Sequence, residues 1–470
     1  MWRRHDHWAC VKFSFRDRSP FLGSFRRLVL TGLAVAFLAV GLESCNHSSA
    51  EPVTVTLLDP GWLDKEFTDW RDHEVAEFTR ETGIQVKLLP APETALDQLS
   101  LWRKLLASGT DGPDVYAIDV IWPSLLADQF IDLKPYLAQE TGAHFSWLVS
   151  NDTVNGRLVG MPYHADAGLL FYRTDLLRAY GYASPPQTWD ELERMALRIQ
   201  TGERAKGNKG FWGFVWQGAA AEGLTCNALE WQASEGGGRI IEDDGTISVN
   251  NPKAIRAWER AARWVGSISP PGVVAYREWD ALNLWRAGNA AFMRNWPTSY
   301  IVSRSEGSSV RTNFAVTLLP RGEVGHSGTL GGASLSVSRN SRHPKEAAEL
   351  IRYLCRRDVQ QARSRITSQP PTIPELYEDP EALKANPHFM QLEQLFHGGP
   401  VARPSRVTGK KYTEVSRSYF EAVHSVLTRE KSASKAAADL ERQLVQITGM
   451  KIRSSGGAVK PDRDTSEEQR

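Results

Sequence analysis

The chain has 470 residues, 41% hydrophobic and 10% aromatic, enough for two or three ordinary domains with real cores and too apolar for a disordered polymer. Its formal charge is +1 and no basic block marks a nucleic-acid footprint. None of the 11 histidines stands in an HExxH or paired-ligand motif, so neither a metal nor another cofactor is implied.

In chain order, the only long apolar run is residues 28–42, LVLTGLAVAFLAVGL, behind Arg26 and Arg27. Fifteen residues is short for a membrane span and suits a signal h-region. The following Leu42-Glu43-Ser44-Cys45 resembles a bacterial lipoprotein processing site, which implies a lipid-anchored Cys45 and a body on the periplasmic or extracellular side. Glu43 departs from the small or apolar residue usual there, and the bland alternative is an uncleaved anchor. The long charged segment before residue 28 fits a translation start placed too early. Cys226 and Cys355 are the two cysteines left in the folded body. They could pair in an oxidising compartment or stay as two buried thiols.

After a polar linker, VTVTLL (53–58) reads as a strand, followed by a helix ending at Gly83 and a second strand, IQVKLLP. A helix with Leu96, Leu99, Trp102, Leu105 and Leu106 then closes at Gly109 before the strand DVYAID. This βαβαβ order calls for a parallel sheet covered by helices. Ligands of such sheets bind beyond the carboxyl ends of the strands, which is where Asp119 stands. Its charge is costly to bury among Ile118, Val120, Ile121 and Trp122, so it is either a satisfied helix cap or part of a site.

Asn155-Gly156 marks a hairpin turn, and the strand after it is expected to cross into a second lobe. There Thr188 to Glu191 forms a capping box. NPKAIRAWERAARWV is expected to bury Ile255, Trp258, Ala262 and Val265. KEAAELIRYLCRRDVQQ reads as one helix and residues 412–448 as a closing helical region. The expected division is a leader over 1–45, a first lobe over 46–162 and 314–366, a second over 163–313 and 367–452, and a disordered tail over 453–470. Sixteen tryptophans suit cores, and also flat faces for sugar rings.

Seven stretches in order, GPDVYAIDVIWPSLLADQFIDL, DAGLLFYRTDLL, TWDEL, EGLTCNALEW, AGNAAFMRNWP, GGASLSVS and RPSRVTGKKYTEVS, carry a resemblance to the extracellular solute-binding proteins of ATP-driven sugar importers, most closely their trehalose/maltose-binding branch. The resemblance implies a periplasmic-binding-protein-like α/β fold with two lobes, a ligand cleft and crossing hinge segments near Pro162 and Leu318. It implies a monomer that captures a sugar, such as the disaccharides trehalose or maltose, and delivers it to permease subunits in the inner membrane. Asp119 on the first lobe and Asp166 on the second would accept sugar hydroxyls, Trp296 would stack on the ring, and Arg403 would donate from the far lobe. Gly331 and Gly332 would let backbone approach the ligand, and Glu278 is a weaker match to a family carboxylate. Ala333 stands where close relatives commonly carry tryptophan. Glu222 and Glu230 read as structural. No catalytic residue is implied, and the rival class is an exported glycosidase using two of the carboxylates.

Overall fold

The computed structural model describes residues 52–59, 65–92, 94–109 and 112–453. The leader, Cys45 and the tail from residue 454 lie outside the described residues. The chain opens as its periodicity predicts: β1 (Thr54–Asp59), a helix over Lys65–Thr82, β2 (Gln85–Pro90), a helix over Ala95–Ala107 and β3 (Val115–Asp119). β1 pairs in parallel with both β2 and β3. Gly83, with φ +76°, ends the first helix, where a left-handed residue is needed. Asn155 and Gly156 are both left-handed and close the hairpin of β4 (Thr153–Val154) and β5 (Arg157–Leu158).

Next come β6 (Met161–Ala167), β7 (Leu169–Arg173), β8 (Trp212–Val215), β9 (Ala290–Asn295), β10 (Phe314–Leu318) and β11 (Leu330–Val337). They complete two sheets, ordered β2-β1-β3-β11-β6 and β10-β7-β9-β8. The strands thus divide differently from the expected boundaries at 162 and 313. β6 stays in the first sheet as the antiparallel neighbour of β11, and β10 stays in the second beside β7. The chain changes sheets at Gly168, a single residue between β6 and β7, and again between Leu318 and Leu330.

Gly168 has no room for a side chain: a Cβ there would lie on the Glu230 Oε1 and the Arg294 guanidinium. These two residues form a fully buried ion pair, with Arg294 Nε donating to Glu230 Oε2 at 3.0 Å. Glu230 also accepts from the backbone N–H of Thr329, just before β11. One carboxylate therefore ties the second sheet, through Arg294, to both places where the chain changes sheets.

Most tryptophans went to the core. Trp189, Trp216, Trp231 and Trp264 pack edge-to-face or tilted, with centroids 5.0–6.5 Å apart. The helix Pro252–Trp264 buries Ala254, Ala257, Trp258, Ala261 and Trp264, while Ile255, Ala262 and Val265 are only partly covered. The expected single helix from 345 breaks at Arg356, whose extended ψ of 145° separates Pro344–Cys355 from Arg357–Thr367. The closing helical region is likewise two helices, Tyr412–Leu427 and Ala433–Thr448. Cys226 and Cys355 are both buried and unpaired.

The chain crossing predicts the outcome of Gly168→Ala. The added methyl displaces the Glu230–Arg294 pair, so the variant should lose roughly 3–5 kcal/mol, the usual cost of breaking a buried ion pair. Urea unfolding measures this; a loss within about 0.5 kcal/mol, as for a surface substitution, would mean the pair adapts.

Candidate functional site

The site begins with a sheet register. β11 lies between β3 and β6, and Ala333 is opposite Asp119 on one side and His164 on the other. Met161 and Pro162 pair with Leu335 and Ser334, but the register then skips Tyr163, so that His164 pairs with Ala333 and Asp166 with Gly331. This bulge adds one residue and turns the even-numbered side chains of β6 to the other face. Without it Asp166 would point away from Asp119. With it, Asp119, Ala333, His164, Gly331 and Asp166 share one face near one end of the sheet.

Asp119 answers both readings of its position. Its Oδ1 accepts from the Ile121 N–H at 3.1 Å, a local turn, and from Arg403 Nη2 at 3.3 Å. Arg403 has only 3% of its side chain exposed. Nη2 also donates to the Leu330 carbonyl at 3.1 Å, and Nη1 donates to Glu222 Oε1 at 2.9 Å. Glu222 opens the helix Glu222–Ser234 of the second lobe and also accepts from the Tyr412 hydroxyl and from Ser416 Oγ. One guanidinium thus joins the end of a first-sheet strand to a helix start beside the second sheet. Glu222, which reads as structural in the sequence, belongs to this constellation; its place at the head of a matched block was the available signal. Glu230 is structural.

Asp166 lies in the first sheet, a correction to its expected place on the second lobe that follows from the sheet membership of β6. It is buried, and among the described residues no hydrogen bond reaches its Oδ1. Burial, with Asp119 adding repulsion and Arg294 opposing, pushes its carboxyl up to about 7. Burial also raises Asp119 against the pull of Arg403.

Trp296 follows β9 directly and is only partly covered. The Arg294 guanidinium lies 4.1 Å from its ring centroid and backs one face of the indole. A Cβ on Gly331 would come within 2.9 Å of Trp296 Cζ3 and 3.1 Å of Asp166 Cβ. Gly331 is therefore the gap through which the indole of the second sheet reaches the floor of the first. Gly332, with φ +115°, would place a Cβ on the His164 carbonyl. Both glycines make room for the chain's own neighbours, which is the close approach the structure shows. Ala333 is part of the floor between Asp119 and His164. Glu278 begins the helix Glu278–Arg286; its carbonyl accepts from Asn295 Nδ2, and its Oε1 lies beside Gly223, one residue from Glu222.

The family is decided by comparison with known proteins. Residues 64–361 match the model of the bacterial extracellular solute-binding proteins. The chain belongs to that family. This solute-binding protein is 44% identical over 420 residues to a probable ABC transporter-binding protein of Deinococcus radiodurans, covering 89% of this chain and 97% of the relative. Maltose-bound MalE3 of T. maritima superposes with a TM-score of 0.78 at 35% identity, over 84% of this chain and all of the other. The maltodextrin-binding protein MdxE of Bacillus subtilis is 23% identical over 346 residues, 68% of this chain and 75% of that one. The fold is that of the periplasmic solute-binding proteins, and both fold and family are those of binding proteins rather than enzymes.

Two substitutions test the geometry of this solute-binding protein. Gly331→Ala should push the indole off Asp166, shifting tryptophan emission to the red with little loss of helix content by circular dichroism. Arg403→Met leaves Asp119 and Glu222 without their cation, so its stability should drop by about 3–5 kcal/mol, and Asp119→Asn added to it should recover part of the loss. An Arg403→Met variant as stable as the parent would contradict the bridge.

Proposed function

We propose that this protein is the sugar-capturing component of an ATP-driven importer, holding a disaccharide such as trehalose or maltose between its lobes and handing it to a membrane permease. The observation that carries this reading is the combination of Asp119, Asp166 and Arg403 with a partly open indole, Trp296, held over them through the Gly331 gap. A sugar offers hydroxyls that donate and accept, and a ring face of C–H groups. Carboxylates and a planar guanidinium match the hydroxyls, and an aromatic ring covers the face. The maltose bound to the T. maritima relative and the maltodextrin of the B. subtilis one support the same ligand class.

Capture follows from the two-sided site. Asp119 and Asp166 belong to the first sheet, Trp296 follows a second-sheet strand, and Glu222 is joined to the first sheet through Arg403. A ligand touching all of them favours the state in which the lobes are together, and hinge closure is the expected response. Gly168 and the 319–329 segment supply the hinge. Glu278 stands at the rim beside Glu222 and extends the hydrogen-bonding surface. Complementarity to an intact sugar does not lower a hydrolytic barrier. The protein acts as a monomer at the membrane surface, tethered by a lipid on Cys45.

Three measurements check this. In a thermal-shift screen of neutral mono- and disaccharides, a true ligand at 100 times its dissociation constant should add about 2.7 kcal/mol of stability, and the sugar should be recovered uncleaved by chromatography. Hydrolysis products, lost in Asp119→Asn, would promote the glycosidase instead. Trp296→Ala should weaken binding by about ten-fold, near the 1.4 kcal/mol a ring contact contributes, and normal affinity would remove the stacking role. Cys45→Ser should move the protein out of the membrane fraction; retention there with the leader attached would favour the uncleaved anchor.

A further inference from the structure

Two buried polar groups on the site face are left without partners. His164 lies next to Asp166 on β6, with Nε2 3.7 Å from Asp166 Oδ2, too far for a hydrogen bond. Among the described residues neither His164 Nδ1 nor Asp166 Oδ1 has a hydrogen-bond partner, although both side chains are buried. Ala165 N–H donates to the Pro370 carbonyl, which brings Gln369 alongside this strand, and its buried Oε1 is also unpartnered. A buried polar atom without a partner costs about 1–3 kcal/mol, so such a group asks for a ligand or a proton.

The charges around the pair decide which. Asp119 at the end of β3 faces Asp166 with a charge of the same sign and is itself held by Arg403. Arg294 on β9 is the cation that faces Asp166, but it is committed to Glu230 and to Gln217 Oε1. Tyr377 after the helix Arg357–Thr367 faces Asp166 and is held neutral by burial. Burial, with Arg363 on that helix adding repulsion, pushes the His164 imidazole down to about 3. The imidazole is therefore neutral. Asp166 has no cation of its own, and a neutral sugar lying over it brings none while removing its remaining water.

Resting on the sugar-capture reading, we propose that closure over a neutral sugar is coupled to the uptake of one proton by the His164–Asp166 pair, so that Asp166 meets the ligand as an acid that donates a hydrogen bond. With the lobes apart, Trp296 is lifted from the Gly331 gap and water reaches the carboxylate, which ionises. With the lobes closed on the sugar, the carboxyl takes a proton from solvent, and no bond of the sugar changes. The protonated carboxyl can then donate to one sugar hydroxyl and accept from another. Specificity follows: the site is built for uncharged, hydroxyl-rich ligands in spite of its surplus of carboxylates, and an amino sugar is the alternative it excludes.

Linkage fixes the sign. A group that binds a proton more tightly in the complex makes affinity fall as pH rises between its free and bound values. Burial under Trp296 already holds the Asp166 carboxyl at about 7 in the ligand-free structure with the indole in place, and the proposal is that water in the open cleft returns it toward an ordinary carboxylate, about 4. Affinity should therefore fall by roughly ten-fold per unit between about pH 5 and pH 7, and level off above.

The experiment is calorimetric titration of the full chain with maltose and trehalose, in cacodylate and in Bis-Tris, two buffers of different ionisation enthalpy that both hold the upper part of that range. The expected result is a buffer-dependent heat corresponding to uptake of close to one proton. Asp166→Asn should bind more weakly, with no uptake and a flat pH profile. Asp152→Asn should keep the uptake, since Asp152, also raised to about 7 by burial, is bonded to Ser334 on the opposite side of β11. Binding with the same heat in both buffers would overturn the proposal and leave sugar capture standing, and the wild-type comparison decides this even if Asp166→Asn does not fold. No heat with either sugar or any other neutral saccharide would sink both readings. Tighter binding of a glucosamine disaccharide than of its neutral counterpart would overturn the proton in favour of a ligand cation.

Discussion

A fully buried guanidinium needs anionic and carbonyl partners, because an unpaired charge in an apolar interior is prohibitively costly. Arg403 meets that need at both terminal nitrogens, with Asp119 from the first sheet, the Leu330 carbonyl at the start of β11, and Glu222 from the Glu222–Ser234 helix, while its Nε finds no partner among the described residues. The end of the first sheet and the start of the Glu222–Ser234 helix must therefore stay in register with each other. The Glu230–Arg294 pair does the same work lower down, beneath Gly168. Between these two ion pairs lie the partly open indole and the floor of small residues under it. The site is the space that the two bridges leave.

That arrangement explains why so many carboxylates gather without a metal-binding pattern. Three of them, Asp119, Glu222 and Glu230, balance buried arginines, and Asp166 is left without a bonded cation among the described residues. The same floor explains the glycines. Gly331 and Gly332 are small because Trp296, Asp166 and the His164 carbonyl occupy the volume a side chain would need. The indole and the crossing are thus built from one set of contacts: the ring of Trp296 is backed by the arginine whose partner lies against Gly168.

Much of the fold was legible from periodicity. The opening βαβαβ, the Asn155-Gly156 hairpin and the glycine helix stops depend on local chemistry, which a single sequence carries. The first crossing, at Gly168, was not legible, because β6 and β7 are adjacent extended segments and only their hydrogen-bond partners assign them to different sheets. The break at Arg356 has no glycine or proline to mark it. The tryptophan content suited cores as well as flat ligand faces, and most of the rings are buried in the core, where Trp189, Trp216, Trp231 and Trp264 pack with one another. For the site, Asp119, Asp166, Trp296 and Arg403 come together, whereas Glu222 and His164 were passed over. A lone histidine in a strand gives no sign of its face, and here that face is set by a bulge visible only against β11.

Asp119 and Glu222 share one guanidinium, that of Arg403, and a sugar bound at this site should feel them as one unit. A double-mutant cycle on sugar affinity, with Asp119→Asn, Glu222→Gln and the pair together, measures that coupling. Each single change should weaken binding, and the double variant should lose less than the sum of the two by about 1 kcal/mol, since either change already releases the shared guanidinium. Losses that add to within about 0.3–0.5 kcal/mol would show two independent residues and contradict a site held together by Arg403.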